Sequence, residues 1–400
     1  MNGSLHDLAT IWRRIFNTVN QKSEQEEHTM RVGVPTEVKN NERRVGLTPT
    51  SVREVVRAGH DVVVQSGAGA GIGADDSAYE TAGAAIAPTA ADVWNDADMV
   101  VKVKEPQAPE RAMLRSDQVL FTYLHLAPDP EQAKDLVASG AMCIAYETVT
   151  DDQGRLPLLA PMSQVAGRMA IQAGAAALES THGGAGLLLG GVPGVAPAKV
   201  VVIGGGVVGR NATEMAIGMG ADVTVLDRNL DVLADLDARF DAGIRTLYST
   251  TDALEAAVLD ADLVIGAVLV KGARAPRLVT AEMVKEMRTG SVLVDVAIDQ
   301  GGAFETSRPT THEDPTYIVD GVVHYCVANM PGGVPRTSTH ALNNATLPFV
   351  IRLADGPHSA LLEDGHIRNG LNVMNGQVTD HAVADALGMA YVEPIEALKA

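Results

Sequence analysis

A short apolar run, Val200–Ile203, leads directly into Gly204-Gly205-Gly206-Val207-Val208-Gly209, and no other stretch limits the fold of this chain as tightly. The string fits G-x-G-x-x-G, a weak signal alone. Here it closes a strand-like segment, Ala198–Ile203, and opens a helix over Asn211–Met219 that stops at Gly220. In this context Gly204 permits a sharp turn, Gly206 lets a pyrophosphate approach the backbone, and Gly209 lets helix pack close to strand. The helix start offers free N–H groups and the positive end of its dipole to phosphates. A second apolar strand, Asp222–Leu226, precedes Asp227, which stands 18 residues after Gly209. A carboxylate there accepts hydrogen bonds from ribose hydroxyls and repels a 2′-phosphate, so the pattern predicts NAD over NADP, with Arg228 blunting the preference. The bland alternative is a glycine turn in some other α/β protein.

Two series of alternating strands and helices surround this motif. The first runs through strands Arg31–Pro35, Asp61–Gln65, Asp98–Lys104, Val119–His125 and Ala141–Thr148, with helices near Thr48–Ala58, Ala74–Ala82 and Pro130–Ser139. A long helix, Pro161–Glu179, leaves this unit. The second series has strands Ala198–Ile203, Asp222–Leu226, Arg245–Tyr248, Asp262–Val268, Ser291–Ile298 and His324–Val327, with a helix at Thr280–Met287. The tail is helical over Ser338–Leu353, then polar with further helix. A chain of 400 residues suits two domains. The expected fold is α/β, with two doubly wound Rossmann-like domains and a cleft between them. A dinucleotide-binding domain, 159–335, is inserted into a discontinuous substrate domain, 30–158 with 336–400. Residues 1–29 form an N-terminal extension. There Leu5, Leu8, Ile11, Trp12, Ile15, Phe16 and Val19 recur at helical spacing around Arg13 and Arg14, with no secretory h-region or cleavage site. This segment reads as an appended helix or a product of start-codon choice, without catalytic residues.

A formal charge of −19 excludes a general affinity for nucleic acid or anionic membrane. No apolar run approaches the ~20 residues of a membrane span. Cys143 and Cys326 fall in apolar runs without ligand spacing, and no His/Asp/Glu cluster has it either, so no metal is expected. Buried, reduced thiols fit a cytoplasmic protein.

Hydride chemistry on a small amino or keto acid needs a cation for the carboxylate, an acid/base for the amino or carbonyl group, and a dry cleft. Ligands of open α/β sheets bind beyond the carboxyl ends of the strands. Four residues meet that condition. Lys104 ends one strand, His125 another, Arg44 lies in the loop after the first, and Asp299 follows Ser291–Ile298 in the dinucleotide half. Each has a plainer reading: Lys104 a solvated charge, His125 a core histidine, Arg44 a surface charge beside Glu42 and Arg43, Asp299 a turn cap. Their convergence on one edge favours the chemical reading of all four.

Several segments resemble the bacterial alanine dehydrogenases. They are Met30–Pro49 (MRVGVPTEVKNNERRVGLTP), Val101–Pro106 (VKVKEP), Thr122–Ala127 (TYLHLA), Met162–Ala175 (MSQVAGRMAIQAGA) and Val202–Gly209. Val294–Gly302 (VDVAIDQGG), Ser307–Thr311 (SRPTT), Val327–Pro331 (VANMP) and the region Gly370–Gly376 extend the likeness, which covers essentially everything from Met30 onward. The resemblance implies oxidative deamination of L-alanine to pyruvate and ammonium with reduction of NAD, and the reverse amination. It places Arg44 and Lys104 on the substrate's carboxylate and carbonyl, with His125 as acid/base assisted by Asp299. It puts Ser163 near the pyrophosphate or ribose and Asp227 at the adenosine ribose. Further cofactor positions by resemblance are Gly204, Gly206, Val207, Val208, Gly209, Ser249, Val268, Leu269, Val296, Ala297, Ile298, Asp299, Arg308, Val327, Ala328, Asn329 and Met330. A homohexamer is implied as well. Three rivals stand beside it: the NAD-binding subunit of a proton-translocating transhydrogenase, a saccharopine-dehydrogenase-like enzyme, and an NAD-responsive regulatory protein without catalysis. The full set Arg44, Lys104, His125 and Asp299 favours the deaminating enzyme.

Overall fold

The computed structural model describes residues 29–268 and 275–399. The helical spacing read over Leu5–Val19 and the cofactor position Leu269 lie outside the described residues. In chain order the strands are β1 (Arg31–Val34), β2 (Asp61–Gln65), β3 (Ala85–Ala87), β4 (Met99–Val101), β5 (Val119–Thr122), β6 (Met142–Ala145), β7 (Lys199–Ile203) and β8 (Asp222–Asp227). They continue with β9 (Arg245–Tyr248), β10 (Leu263–Gly266), β11 (Val292–Asp295), β12 (Thr316–Val319), β13 (Val322–Tyr325), β14 (Leu371–Met374) and β15 (Gln377–Val378). Four helices matter for the site: α1 (Pro49–Arg57), α2 (Ala160–Ala177), α3 (Val207–Gly218) and α4 (Pro335–Asp355).

The strands build two sheets, ordered β15-β14-β6-β5-β4-β1-β2-β3 and β12-β13-β11-β10-β7-β8-β9. Within the first, β3-β2-β1-β4-β5-β6 is parallel throughout, and β9-β8-β7-β10-β11-β13 repeats that winding in the second. Parallel strands need crossover helices, which cover both faces and force the strands to be apolar throughout. Accordingly β4, β5, β10 and β11 are buried along their whole length. Each sheet reverses its winding once, between β1 and β4 and between β7 and β10, and opens a crevice there at the carboxyl edge. Two antiparallel hairpins extend the sheets: β12–β13 on the second, and β14–β15 on the first through β14 pairing with β6.

The first sheet packs Phe121 and Tyr146 into one core and Trp94, Leu120 and Leu136 into another. Leu342, Val350 and Leu353 of α4 join the former beside Val45, Leu47 and Val52, so the tail returns to the first sheet. α1 starts where the Thr48 hydroxyl accepts the Ser51 N–H and Pro49 occupies the first helical position. α2 runs along α3 so closely that a Cβ on Gly167 would lie 2.2 Å from the Val208 carbonyl oxygen. Among the described residues no helix is long and apolar enough to cross a membrane.

Several elements end earlier than their apolar runs. β5 stops at Thr122 rather than His125, because the Glu147 carboxylate takes the N–H groups of Leu124 and His125 out of the ladder. β11 stops at Asp295 rather than Ile298, because the Asp295 carboxylate accepts from the Ala297 and Ala303 N–H groups and turns the chain. β6 ends at Ala145 and continues as a single 3₁₀ turn, Tyr146–Thr148. α3 starts at Val207 rather than Asn211, with Gly206 as its N-cap. The tail beyond α4 contains β14 and β15 as well as helix.

Candidate active site

Loops at the carboxyl edge of the first sheet carry a dense set of charges. After β1 come Glu37, Lys39, Glu42 and Arg44; after β4, Lys102, Lys104 and Glu105; after β5, Tyr123 and His125; after β6, Glu147. Arg44 is not a surface charge. It is 2% exposed and chelated by Glu42, with Nε donating to Oε1 at 2.6 Å and Nη2 to Oε2 at 2.5 Å. Nη2 also donates to Asn329 Oδ1 at 2.8 Å, and Nη1 meets Met162 Sδ at 3.0 Å. The second N–H of Nη1 is therefore the one guanidinium donor without a partner among the described residues. Burial would raise the Glu42 carboxyl, but the bonds and charge of Arg44 outweigh it and hold the group down to about 2.

Lys104 is also drawn in, its side chain 12% exposed and its Nζ 3.8 Å from Glu105 Oε2. Burial, reinforced by Lys39 and Arg44, holds this ammonium below the ordinary lysine range although Glu105 and Asp299 pull the other way. Lys39 pairs with the other oxygen of Glu105. Glu42 neutralises Arg44, whereas Glu105 is shared between Lys39 and Lys104, so Lys104 is the less compensated of the two buried cations. Beneath them Lys102, fully buried, binds Glu37 at 3.1 Å and Glu110 at 2.7 Å. Glu37 accepts the Val103 N–H at 2.6 Å as well, so this pair shapes the segment that presents Lys104.

His125 is exposed rather than a core histidine, with its backbone in the left-handed region at φ 48°. Its ring stacks on Tyr123 at 5.7 Å between centroids. Tyr123 is buried and its hydroxyl donates to the Leu158 carbonyl at 2.6 Å.

On the second sheet, Gly204 turns with φ 100°, and a Cβ on Gly209 would lie 1.8 Å from the Gly204 carbonyl oxygen. A Cβ on Gly206 would meet nothing within 4 Å, which leaves open room above the start of α3 for a diphosphate. Asp227 ends β8, with Oδ2 accepting the Gly205 N–H at 2.7 Å and Oδ1 the Asn229 N–H at 2.8 Å. Beside it a cavity of about 540 Å³ is lined by Asp227, Arg228, Asn229, Leu230, Asp231 and Tyr248. Ser249 donates its N–H to the Asp227 carbonyl, and Val268 lies against Gly204. These residues and the glycine cradle fit an adenine dinucleotide.

Of the other expected cofactor positions, Val208, Val327 and Met330 have their side chains in the second sheet's core, while Ala297 and Ile298 are buried and Val296 half-buried. Ala328 donates its N–H to the Thr310 carbonyl. Val207 is exposed at the start of α3 and Ser163 half-buried near the start of α2. Arg308 lies over the Tyr317 ring at 4.1 Å. Asp299 sits exposed in the 3₁₀ turn Ile298–Gln300 after β11.

Asn329 joins the two edges. Its backbone is left-handed at φ 56°, its N–H points to Asp299 Oδ2 at 3.4 Å, and its carbonyl lies 3.2 Å from His312 Nε2. Its side chain reaches across, accepting from Arg44 and donating to Glu42 Oε2 at 3.1 Å. The fold thus brings Arg44, Lys104, Asn329 and Asp299 to one cleft. Sequence reasoning passed over Glu42, Glu37, Lys102 and Glu147. For Glu42 the only signal was an acid two residues before a basic one, which reads equally as surface charge.

Comparison with known proteins matches residues 33–166 to the model "Alanine dehydrogenase/PNT, N-terminal domain" and residues 170–381 to "Alanine dehydrogenase/PNT, C-terminal domain". An alanine dehydrogenase of Halomonas elongata is 61% identical over 365 residues, covering 91% of this chain and 98% of that one. A solved L-alanine dehydrogenase superposes with a TM-score of 0.87 at 53% identity, covering 90% of this chain and 99% of the other. A transhydrogenase from Sinorhizobium meliloti superposes with a TM-score of 0.76 at 26% identity, covering 87% and 99%.

Proposed function

This chain belongs to the alanine dehydrogenase/PNT family, and on that premise we propose that its cleft catalyses the reversible NAD-dependent oxidative deamination of L-alanine to pyruvate and ammonium. The observation that carries the reading is the Arg44–Asn329–Asp299 chain of contacts, which puts an anion anchor and the edge of the dinucleotide half in one cleft. Identity of 53% to a solved L-alanine dehydrogenase, against 26% to a transhydrogenase, favours deamination over the transhydrogenase reading. The test is direct: NADH absorbance followed with pyruvate plus ammonium, then with alanine plus NAD. Absence of turnover in both directions overturns the proposal.

In this reading Lys104 and the remaining N–H of Arg44 Nη1 hold the substrate carboxylate and carbonyl. Bound NAD supplies the hydride acceptor for deamination, and NADH the donor for the reverse. His125 Nε2, which has no hydrogen-bond partner among the described residues, takes a proton from the water that adds to the iminium carbon left by hydride transfer. It gives that proton to the amino nitrogen of the carbinolamine and takes the hydroxyl proton as ammonia leaves. Asp299 faces the same cleft from the dinucleotide half and assists this transfer.

The proposal includes the division into a substrate half, 30–158 with 336–400, and a dinucleotide half, 159–335. It also includes a cytoplasmic homo-oligomer, hexameric by resemblance. Exposed Leu188, Val192 and Val195 in one loop support association.

Two predictions follow from this assignment. Asp227→Ala removes the acceptor proposed for the ribose hydroxyls. NADH KM is expected to rise on the order of tenfold or more, and discrimination against NADPH to relax. Unchanged kinetics with both cofactors would contradict the ribose role. For Lys104 the binding form is the cation, present below its titration and lost as pH rises through it. Because that titration lies below the ordinary lysine range, pyruvate KM should climb at a lower pH than a free lysine would give. Lys104→Arg keeps its charge and should flatten the rise; a wild-type KM that does not change from neutral to strongly alkaline pH would remove Lys104 from carboxylate binding.

A further inference from the structure

The left-handed backbone at His125 needs something to hold it, since a residue with a Cβ seldom adopts φ 48° unaided. The brace comes from the next strand. Glu147, in the 3₁₀ turn that follows β6, accepts the His125 N–H at 2.5 Å through Oε1 and faces the Leu124 N–H with both oxygens at 3.2 Å. That turn is itself anchored, because the neighbouring Tyr146 hydroxyl donates to the Lys102 carbonyl at 2.9 Å. The same Oε1 lies 3.7 Å from His125 Nδ1, an ion-pair distance that a small side-chain movement closes to a hydrogen bond.

We infer that Glu147 is the positioning residue of His125: one carboxylate closes the strained turn and accepts from the Nδ1–H, which keeps the proton on Nδ1 and leaves Nε2 as the nitrogen offered to the reacting water. Orienting a base through its second nitrogen fixes tautomer and direction together. The charged groups around this cleft are Lys39, Glu42 and Arg44 after β1, Lys104 and Glu105 after β4, Glu147 after β6 and Asp299 after β11. Glu147 is the one among the described residues in ion-pair contact with the imidazole.

This inference rests on the proposed deamination for its kinetic arm, so a second arm is independent of activity. Glu147→Gln keeps an amide oxygen for the Leu124 and His125 N–H groups but removes the charge. The full-length variant should melt like wild type and bind NADH equally well. Its kcat for pyruvate amination should fall about 10–100-fold while the KM for pyruvate stays at the wild-type value. In the second arm, diethyl pyrocarbonate modifies the protein without substrate, and mass spectrometry follows the His125 peptide. Without the carboxylate the Nδ1 edge is no longer held against Glu147, so the ring turns freely and both nitrogens open to the reagent; His125 should therefore be modified several-fold faster in Glu147→Gln. Equal modification rates overturn the inference whatever the substrate proves to be. Wild-type kcat in the variant overturns it too. A wild-type protein inactive on alanine and pyruvate overturns the proposed function instead, and the modification arm still decides the role of Glu147.

Discussion

Replacing His125 by alanine lowers turnover of pyruvate and ammonium by about 10³-fold, within the usual range for losing a positioned acid/base, and leaves NADH affinity unchanged. The two effects separate because His125 stands on the first sheet, whereas the glycine turn and Asp227 stand on the second. Its side chain is 44% exposed, so truncation opens no cavity in a packed core. One confounding effect is the backbone: alanine tolerates φ 48° no better than histidine does. His125→Asn answers this, since asparagine is among the residues most often found in the left-handed region and cannot transfer the proton. Both variants should show the same loss of kcat, with NADH fluorescence titrations matching wild type. Turnover near the wild-type level in either would take His125 out of the chemistry.

The choice of His125 shows how far strand ends are legible in a sequence. Apolar runs located ten or more strands because buried parallel strands are apolar on both faces. They overshot the ends of β5 and β11 because burial continues past the last ladder bond: Leu124, Leu126, Ala297 and Ile298 remain buried after the chain has turned. What turns it is a side-chain carboxylate, Glu147 in one case and Asp295 in the other, and hydropathy carries no trace of that. The two hairpins were legible and went unread. Val319-Asp320-Gly321-Val322 and Met374-Asn375-Gly376-Gln377 each put Asp-Gly or Asn-Gly at positive φ between paired strands, the usual signature of a two-residue hairpin turn.

At the site the asymmetry has a different cause. Arg44, Lys104, His125 and Asp299 announce themselves because the topology sends strand ends to the ligand edge. The residues that set their charge and direction do not. Glu147 is 22 positions from His125, and Asn329 is 285 positions from Arg44. Neither separation has a period or a spacing rule behind it; only the packing of one crevice against the other creates the contact. A carboxylate partner is nevertheless required on physical grounds, because a guanidinium as buried as that of Arg44 is not stable alone.

That requirement leads to the second large effect, one of stability. Glu42→Ala leaves the Arg44 guanidinium buried with Asn329 as its remaining polar side-chain acceptor. Removing one member of a buried pair costs about 3–5 kcal/mol, so the thermal midpoint should drop by on the order of 10 °C. Glu42→Gln, which retains an acceptor oxygen, should lose less. The pH dependence identifies the cause. The Glu42 carboxyl is depressed to about 2 in the folded protein. A depressed acid contributes stability that is fully present above its unfolded titration and is lost as pH falls through the folded one. A depression of this size corresponds to about 3 kcal/mol, lost between roughly pH 5 and 2. Urea unfolding of wild type and Glu42→Gln across that window should therefore show the two stabilities converging as pH falls. If the gap between them stays constant down to the lowest pH, the Glu42–Arg44 charge pair is not what holds this part of the cleft together.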